Sequence, residues 1–356
     1  MKRDTMTPYV DMLIDRLGGM DYPTLAIKYG YSITGARGMV SRARRNPQMV
    51  VEAMIQRTQN PHHNKQVEAQ QAIIAQSRAI FDQHLRANPS GKVVWLSDVH
   101  IPYTRYDALE LAYKIISDVN PVGVTGFNDF FDFAEYGRWA NVPTPSAMLW
   151  QSDISNALEI ADMHHRTIKH VAPRARIIGL NGNHDNWMLQ YMRSNKTGFS
   201  ERNITEFMTE LHNQGVLIMS TDSKQEPVAT LGALKLTHGI SAAQRDSSVG
   251  VKTIETLREG RHLFYTASGH VHRDFTVKHG GVAHFNFGCL CVKTMPYVKH
   301  KPNRWQLGIG VLEYSPDEAW GEAVNFHEEG NKLVARYGGH RYEVALRADD
   351  DKFPAW

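Results

Sequence analysis

Five apolar runs in this 356-residue chain each stop at side chains drawn from aspartate, asparagine and histidine. "VVWL" leads to Asp98 and His100, and "VGVT" leads to Asp129 and Asp132. "RIIGL" runs into "NGNHD", Asn181 to Asp185. "ALKLT" leads to His238, and "LFYTAS" to His270 and His272. Short apolar runs of this kind read as buried strands. Between the first two lies "RYDALELAYKIISDV", with Leu109, Ile116 and Val119 on one side of a helix that Asn120-Pro121 closes. Strand, helix, strand predicts a parallel pair joined by a crossover. Helical stretches near Ile154–Ile168 and Ile204–Leu211, and further runs at "VAHFNF" and "GIGVLEY", extend the pattern. The fold class is α/β, and the closer spacing of the later strands predicts antiparallel pairing there.

In an α/β sheet the strand ends gather along one edge, so these side chains should converge. A lone histidine on a strand is usually a core residue, but an ordered set at five strand ends is not explained that way. Carboxylates, an amide oxygen and imidazoles, with no thiolate, suit borderline-hard divalent cations. Residues spaced X-any-X on an extended segment point the same way, so Asp98 with His100, and His270 with His272, can each clasp one ion. Gly182, Gly239 and Gly269 let backbone pass close to a crowded centre.

The order Asp-any-His, Asp-any-any-Asp, Gly-Asn-His-Asp, His-Gly and Gly-His-any-His resembles the calcineurin-like metallophosphoesterases, over roughly Lys92 to Tyr314. The resemblance implies a β-sandwich of two mixed sheets flanked by helices, and two divalent metal ions sharing a carboxylate. It implies that Asp98, His100 and His272 hold one ion, that Asn183, His238 and His270 hold the other, and that Asp129 bridges them. Asp132 becomes an outer group that orients ligands. His184 faces the leaving group and protonates it, oriented by Asp185. Manganese is the expected metal, with iron, zinc and magnesium also compatible. One departure stands out: Asn128 occupies the place before the bridging aspartate where the family usually has glycine. "NFGC", Asn286 to Cys289, is similar to a later strand end of the family, and no catalytic role is assigned to it. Cys289 and Cys291 read as core residues.

The first ninety residues lie outside that resemblance. They hold 12 Lys+Arg and 7 Asp+Glu, a net +5, whereas the remainder holds 28 and 30, a net −2. "TPYVDMLIDRL" reads as a helix. Pro23, Leu25, Ala26 and Tyr29 mark another helix. After a turn at Gly30, Ser32 or Thr34 caps a third, which carries Arg37, Arg42, Arg44 and Arg45. Ala26 followed four residues later by Gly30 resembles a helix-turn-helix, so these arginines are candidate DNA contacts. Val67, Ile74, Phe81 and Leu85 form a narrow stripe on a polar helix that can pair copies into a homo-oligomer or pack on the next domain. The expected domains are a helical unit at 1–60, a linker helix at 61–90 and a catalytic domain at 91–356, with a lid insertion at 186–224.

Together these features predict a phosphoesterase in which a hydroxide bridging two cations attacks phosphorus and His184 assists the leaving group. The basic front segment favours a phosphodiesterase or nuclease acting on DNA. Tyr103, Arg105, Arg138, Trp139 and Arg245 are further candidate substrate contacts. Two alternatives are a phosphomonoesterase acting on a small molecule or phosphoprotein, and a DNA-binding protein with an inactive site. Two cysteines exclude a disulfide framework, and no signal peptide or membrane-spanning run is visible, so a cytoplasmic location is expected.

Overall fold

The computed structural model describes residues 12–13, 16, 21–29, 31–44, 61–101, 103–126, 128–132, 147–187, 201–219, 228–239, 245–292 and 304–347. Most of the expected helix "TPYVDMLIDRL", and residues Gly30, Arg45, Arg138 and Trp139, lie outside them. The chain divides into two compact units: residues 1–73, 135–155 and 187–210, and residues 74–134, 156–186 and 211–356.

In the first unit, α1 (Tyr22–Tyr29) and α2 (Ile33–Arg44) pack on Met12 and Leu13, with Leu25, Ala26, Ala36, Met39 and Val40 buried between them. Both helices are capped as their sequences allow. Thr24 N donates to Asp21 Oδ1 at 2.8 Å, and Gly35 N donates to Ser32 Oγ at 3.0 Å, occupying amides that have no partner within the first turn.

The long helix α3 (Pro61–Ala87) runs from the first unit into the second. Its later half belongs to the core of the second unit. Phe81 is buried there, Ile80 and Leu85 pack against it, and Arg78 donates to Met219 O at 2.9 Å. Much of the stripe that could have paired copies is therefore used internally.

The second unit is a sandwich of two mixed sheets. The first takes the order β11-β10-β1-β2-β3-β4, with β1 (Gly91–Trp95), β2 (Gly123–Thr125), β3 (Arg176–Gly179) and β4 (Val216–Ile218) parallel. Strands β10 (Gly308–Tyr314) and β11 (Ala319–Asn325) complete it in antiparallel pairing. The second takes the order β5-β6-β7-β9-β8, from β5 (Val228–Leu231), β6 (Leu234–Thr237), β7 (Tyr265–Ser268), β8 (Phe275–His279) and β9 (Val282–Asn286). The expectation of antiparallel pairing among later strands holds in part: β5–β6, β8–β9 and β10–β11 pair that way, but β6, β7 and β9 are mutually parallel. Parallel pairing needs crossovers, and helix α7 (Asp246–Thr256) falls in the connection between β6 and β7.

Trp95, Ile178 and Leu312 from one sheet meet Leu236, Ala267 and Phe285 from the other, all nearly excluded from water. Each large side chain contributes roughly 1.5–3 kcal/mol. Helix α4 (Tyr106–Val119) buries Ala108, Leu109, Leu111, Ala112, Ile115 and Ile116, the recurrence of one helical face. Helix α5 (Ala147–Val171) precedes β3, and α6 (Glu201–Asn213) precedes β4. Strand β4 lies inside 186–224, so part of that segment is sheet framework. A three-stranded sheet of β12 (His327–Glu329), β13 (Lys332–Tyr337) and β14 (His340–Ala345) was not visible in the sequence.

Candidate metal centre

The five Asp/Asn/His clusters follow the C-terminal ends of β1, β2, β3, β6 and β7. The segments there are not extended, as X-any-X spacing suggested. Asp98, His100, Asp129, Asn181, His270 and His272 all have positive φ, between 46° and 67°; among the described residues only Asn120 joins them outside glycine. The left-handed conformation costs such residues roughly 1–2 kcal/mol each, least for Asp and Asn. Neighbouring chain holds it in place. Asp98 N donates to Asn128 O at 3.0 Å, His100 N to Asp129 O at 3.1 Å, and His270 N to Asp98 Oδ2 at 3.0 Å. Left-handed residues turn the chain back at four of the five strand ends, after β1, β2, β3 and β7, and this turning, not an extended segment, brings those side chains to His238. Two glycines permit the approach. A β-carbon at Gly182 would overlap Asp129, and one at Gly269 would overlap Ser97 and Asp98.

The groups form two adjoining clusters. In one, His272 Nε2 lies 3.0 Å from Asp98 Oδ1 and 3.2 Å from His100 Nε2. In the other, His238 Nε2 lies 3.0 Å from Asp129 Oδ2 and 3.1 Å from Asn183 Oδ1. Asp129, His238 and His270 place ligand atoms within 4.8 Å of one another, as do Asp98, His100 and Asp129. The first sheet therefore supplies Asp98, His100, Asp129 and Asn183, and the second supplies His238, His270 and His272.

A cation fits this arrangement. His238 Nδ1 donates to Asn128 Oδ1 at 2.6 Å, which turns its other nitrogen, Nε2, inward. Nε2 faces a carboxylate oxygen and the amide of Asn183. The Asn183 oxygen likewise faces only acceptors, and only a half-turn of the amide would place its nitrogen 2.7 Å from His270 Nδ1. His100 Nδ1 donates to Asp132 Oδ1 at 2.8 Å, leaving its Nε2 toward His272 and Asp98. Asp98 Oδ1 is buried, with His272 Nε2 beside it at 3.0 Å. Carboxylate oxygens, an amide oxygen and imidazole nitrogens crowded together on buried groups are the environment a positive ion relieves.

The electrostatics agree. Burial opposes ionisation of Asp98 and Asp129, yet His272 and His238 respectively hold them well below the usual carboxylate range. Burial also opposes charge on His272, but the Asp98 carboxylate lifts it to about 9. His100 is raised in the same way, with Asp132 overcoming burial. Burial, followed by the neighbouring His238, pushes His270 down to about 4.

His184 is buried at the rim of the clusters, and its ring meets that of His100 edge-on at 4.6 Å. Its backbone N donates to Asp129 Oδ1 at 2.7 Å. The expectation that Asp185 orients its ring is corrected. Asp185 accepts from the amides of Phe131 (3.2 Å) and Gly182 (3.0 Å), and burial followed by Asp129 repulsion raises it to about 7. His184 Nδ1 instead lies 2.9 Å from Asp132 Oδ1 and 2.6 Å from Asp132 O. Asp132 thus holds two imidazoles, those of His100 and His184.

Two further candidates have partners within the protein. The Arg105 guanidinium is committed to Asp107, at 3.0 and 2.7 Å, and to Glu328 at 3.2 Å, so it is not offered to a substrate. Tyr103 packs against the Cys289, Cys291 and Val292 cluster. Arg245 is exposed just before α7. Arg37 is exposed on α2, and Arg42 and Arg44 follow on the same helix.

Sequence reasoning missed three supporting groups: Asn128, Ser97 and Cys291. Asn128 had registered only as a departure from the family pattern. Ser97 Oγ donates to Asp98 Oδ2, and Cys291 Sγ lies 4.0 Å from His272 Nδ1. Cys289 and Cys291 are core residues as expected, and the buried Cys291 thiol backs one imidazole of the site. Nothing in the order of residues linked Cys291 to His272.

No family model matches the chain, and no curated protein matches it either. Solved structures similar to it include an archaeal phosphodiesterase at 16% identity, covering 65% of this chain and 99% of that one with a TM-score of 0.33. Vacuolar protein sorting 29 from Cryptosporidium parvum matches at 11% identity, covering 72% and 97% with a TM-score of 0.34. A predicted phosphoesterase from Streptococcus pneumoniae matches at 12% identity, covering 72% and 98% with a TM-score of 0.29.

Proposed function

We propose that this chain is a metal-dependent phosphodiesterase acting on nucleic acid. The observation that carries the reading is the convergence of buried ligand atoms from Asp98, His100, Asp129, Asn183, His238, His270 and His272. Asp98, His100 and His272 would hold one divalent cation; Asn183, His238 and His270 would hold a second, with Asp129 between them. Such a pair supplies Lewis acidity toward a phosphoryl group and a water acidic enough to attack at neutral pH. The remaining work falls to the protein. Asp132 and Asn128 fix the rings of His100 and His238, so their Nε2 atoms stay directed inward. His184, steadied at Nδ1 by Asp132, presents Nε2 as the group that passes a proton to the departing oxygen. The excess of cations in the first ninety residues supports a polyanionic substrate.

The test is a substrate panel after loading with manganese, iron, zinc or magnesium: mono- and bis-nitrophenyl phosphate, single- and double-stranded DNA, RNA and cyclic nucleotides. Bis-ester and DNA cleavage should exceed monoester hydrolysis, and the reverse order would make the chain a phosphomonoesterase. His184→Ala should retain bound metal and lose about 10²–10⁴-fold in rate on esters with poor leaving groups, with a smaller loss on nitrophenyl esters. Equal loss of metal would remove the role given to His184.

A further inference from the structure

The tip of the α1–α2 pair exposes a patch that helix packing does not explain. Ile27 is 84% exposed, Tyr31 42% and Ile33 45%, three of the five large hydrophobic side chains exposed among the described residues. They fall within seven positions, at the end of α1, in the turn and at the start of α2. Ser32, Thr34 and Arg37 are exposed beside them, while Ala36, Met39 and Val40 face inward. Arg37 is held in place, its guanidinium 5.4 Å from the Tyr22 ring. The charged residues of this stretch are all cationic. From Tyr22 to Arg45 the sequence holds Lys28, Arg37, Arg42, Arg44 and Arg45 and no Asp or Glu.

An apolar tip in a stretch whose only charged residues are cationic matches a polyanion that offers apolar groups inside a groove. Duplex DNA does this in its major groove, where thymine methyls and base edges lie between two rows of phosphates. The groove is about 12 Å wide and admits one helix, whose N-terminal residues reach the bases. We propose that α2 enters the major groove of double-stranded DNA as a sequence-reading helix. Ile33 and Thr34 meet base edges and thymine methyls, Arg37 pairs with a guanine edge, and Lys28 contacts the phosphates. The inference goes beyond the hydrolysis proposed above, because it assigns sequence preference to the helical unit, and it does not depend on catalysis.

The experiment uses the full chain. A random pool of 30-base-pair duplexes is carried through rounds of binding, and affinities are measured by fluorescence anisotropy at several salt concentrations. An enriched sequence bound at least about 100-fold more tightly than a scrambled duplex or the single strand, with affinity falling as salt rises, supports the proposal. Ile33→Asp and Arg37→Ala should each lower that affinity about 5–100-fold. Both should keep the wild-type circular dichroism and the wild-type rate on bis-nitrophenyl phosphate. Should Ile33→Asp misfold, Ile33→Ser and Thr34→Ala make the same measurement on exposed positions. Absence of an enriched sequence, or variants that bind like wild type, overturns it. A concentration-dependent dimer abolished by Ile33→Asp also overturns it, by giving the patch to a second copy. Loss of all hydrolysis with sequence-specific binding intact would sink the phosphodiesterase reading and leave this one standing.

Discussion

Asn128 does more than occupy a glycine's place. Its Oδ1 is the acceptor that fixes His238 Nδ1–H, and its backbone O takes the amide of Asp98. Outer partners of this kind typically change metal affinity by about 10–100-fold when removed. Asn128→Ala should therefore weaken one bound cation by about that factor and leave the other near its wild-type affinity, while Asn128→Asp, which keeps an acceptor, should recover most of the loss. Competition against a chelator with two resolvable sites measures this; equal weakening of both ions would refute the assignment. At this scale the sequence identified groups by type and spacing, and all seven proposed ligands do converge. What spacing could not convey is which neighbour holds which ring. Asp132 rather than Asp185 steadies His184, because Asp185 is drawn to the Phe131 and Gly182 amides. The guanidinium of Arg105 turns to an aspartate only two residues along the chain.

Among the elements, the strands were legible because buried parallel strands read as continuous apolar runs. Pairing direction was not, since β6, β7 and β9 are joined through connections whose length alone does not distinguish a crossover from a long loop. The small β12–β14 sheet was invisible because its one buried run, Leu333 to Ala335, is only three residues long and its neighbours read "HEE" and "HRYEVA". The left-handed residues illustrate a further limit. Six of seven sit at or beside the candidate metal centre, where they trade backbone ease for convergence. Asn120 is the control: it ends α4 at φ 45°, its amide donates to Ile116 O, and Pro121 follows. This is a left-handed helix cap with no chemistry attached. Asn120→Ala should destabilise the protein by about 1 kcal/mol and Asn120→Gly should be close to neutral, as measured by denaturant unfolding with bound metal unchanged. A neutral alanine would mean that the cap relaxes at no cost.

At the level of the whole second unit, the proposed ligands come from both sheets, so bound cations would tie the sandwich together at one edge. Metal binding to the folded chain alone adds about 2.7 kcal/mol at a hundredfold excess over the dissociation constant, enough to raise the melting temperature by several degrees. The pH dependence follows from protons held in the ions' places. In the metal-free protein the Asp98 carboxylate lifts His272 to about 9, above the ordinary histidine value of about 6.5. A raised histidine contributes stability that is complete below its unfolded value and fades as pH rises through its folded value. This part of metal-free stability is thus lost between about pH 6.5 and 9. Ions must displace the same proton to bind, so their affinity climbs over that interval. The gap in melting temperature between loaded and chelator-treated protein should therefore widen steadily from pH 6.5 to 9. In His272→Gln, which retains an oxygen but has no proton to yield, the widening should be much smaller. A gap that stays constant across the interval would mean that His272 does not face the ion.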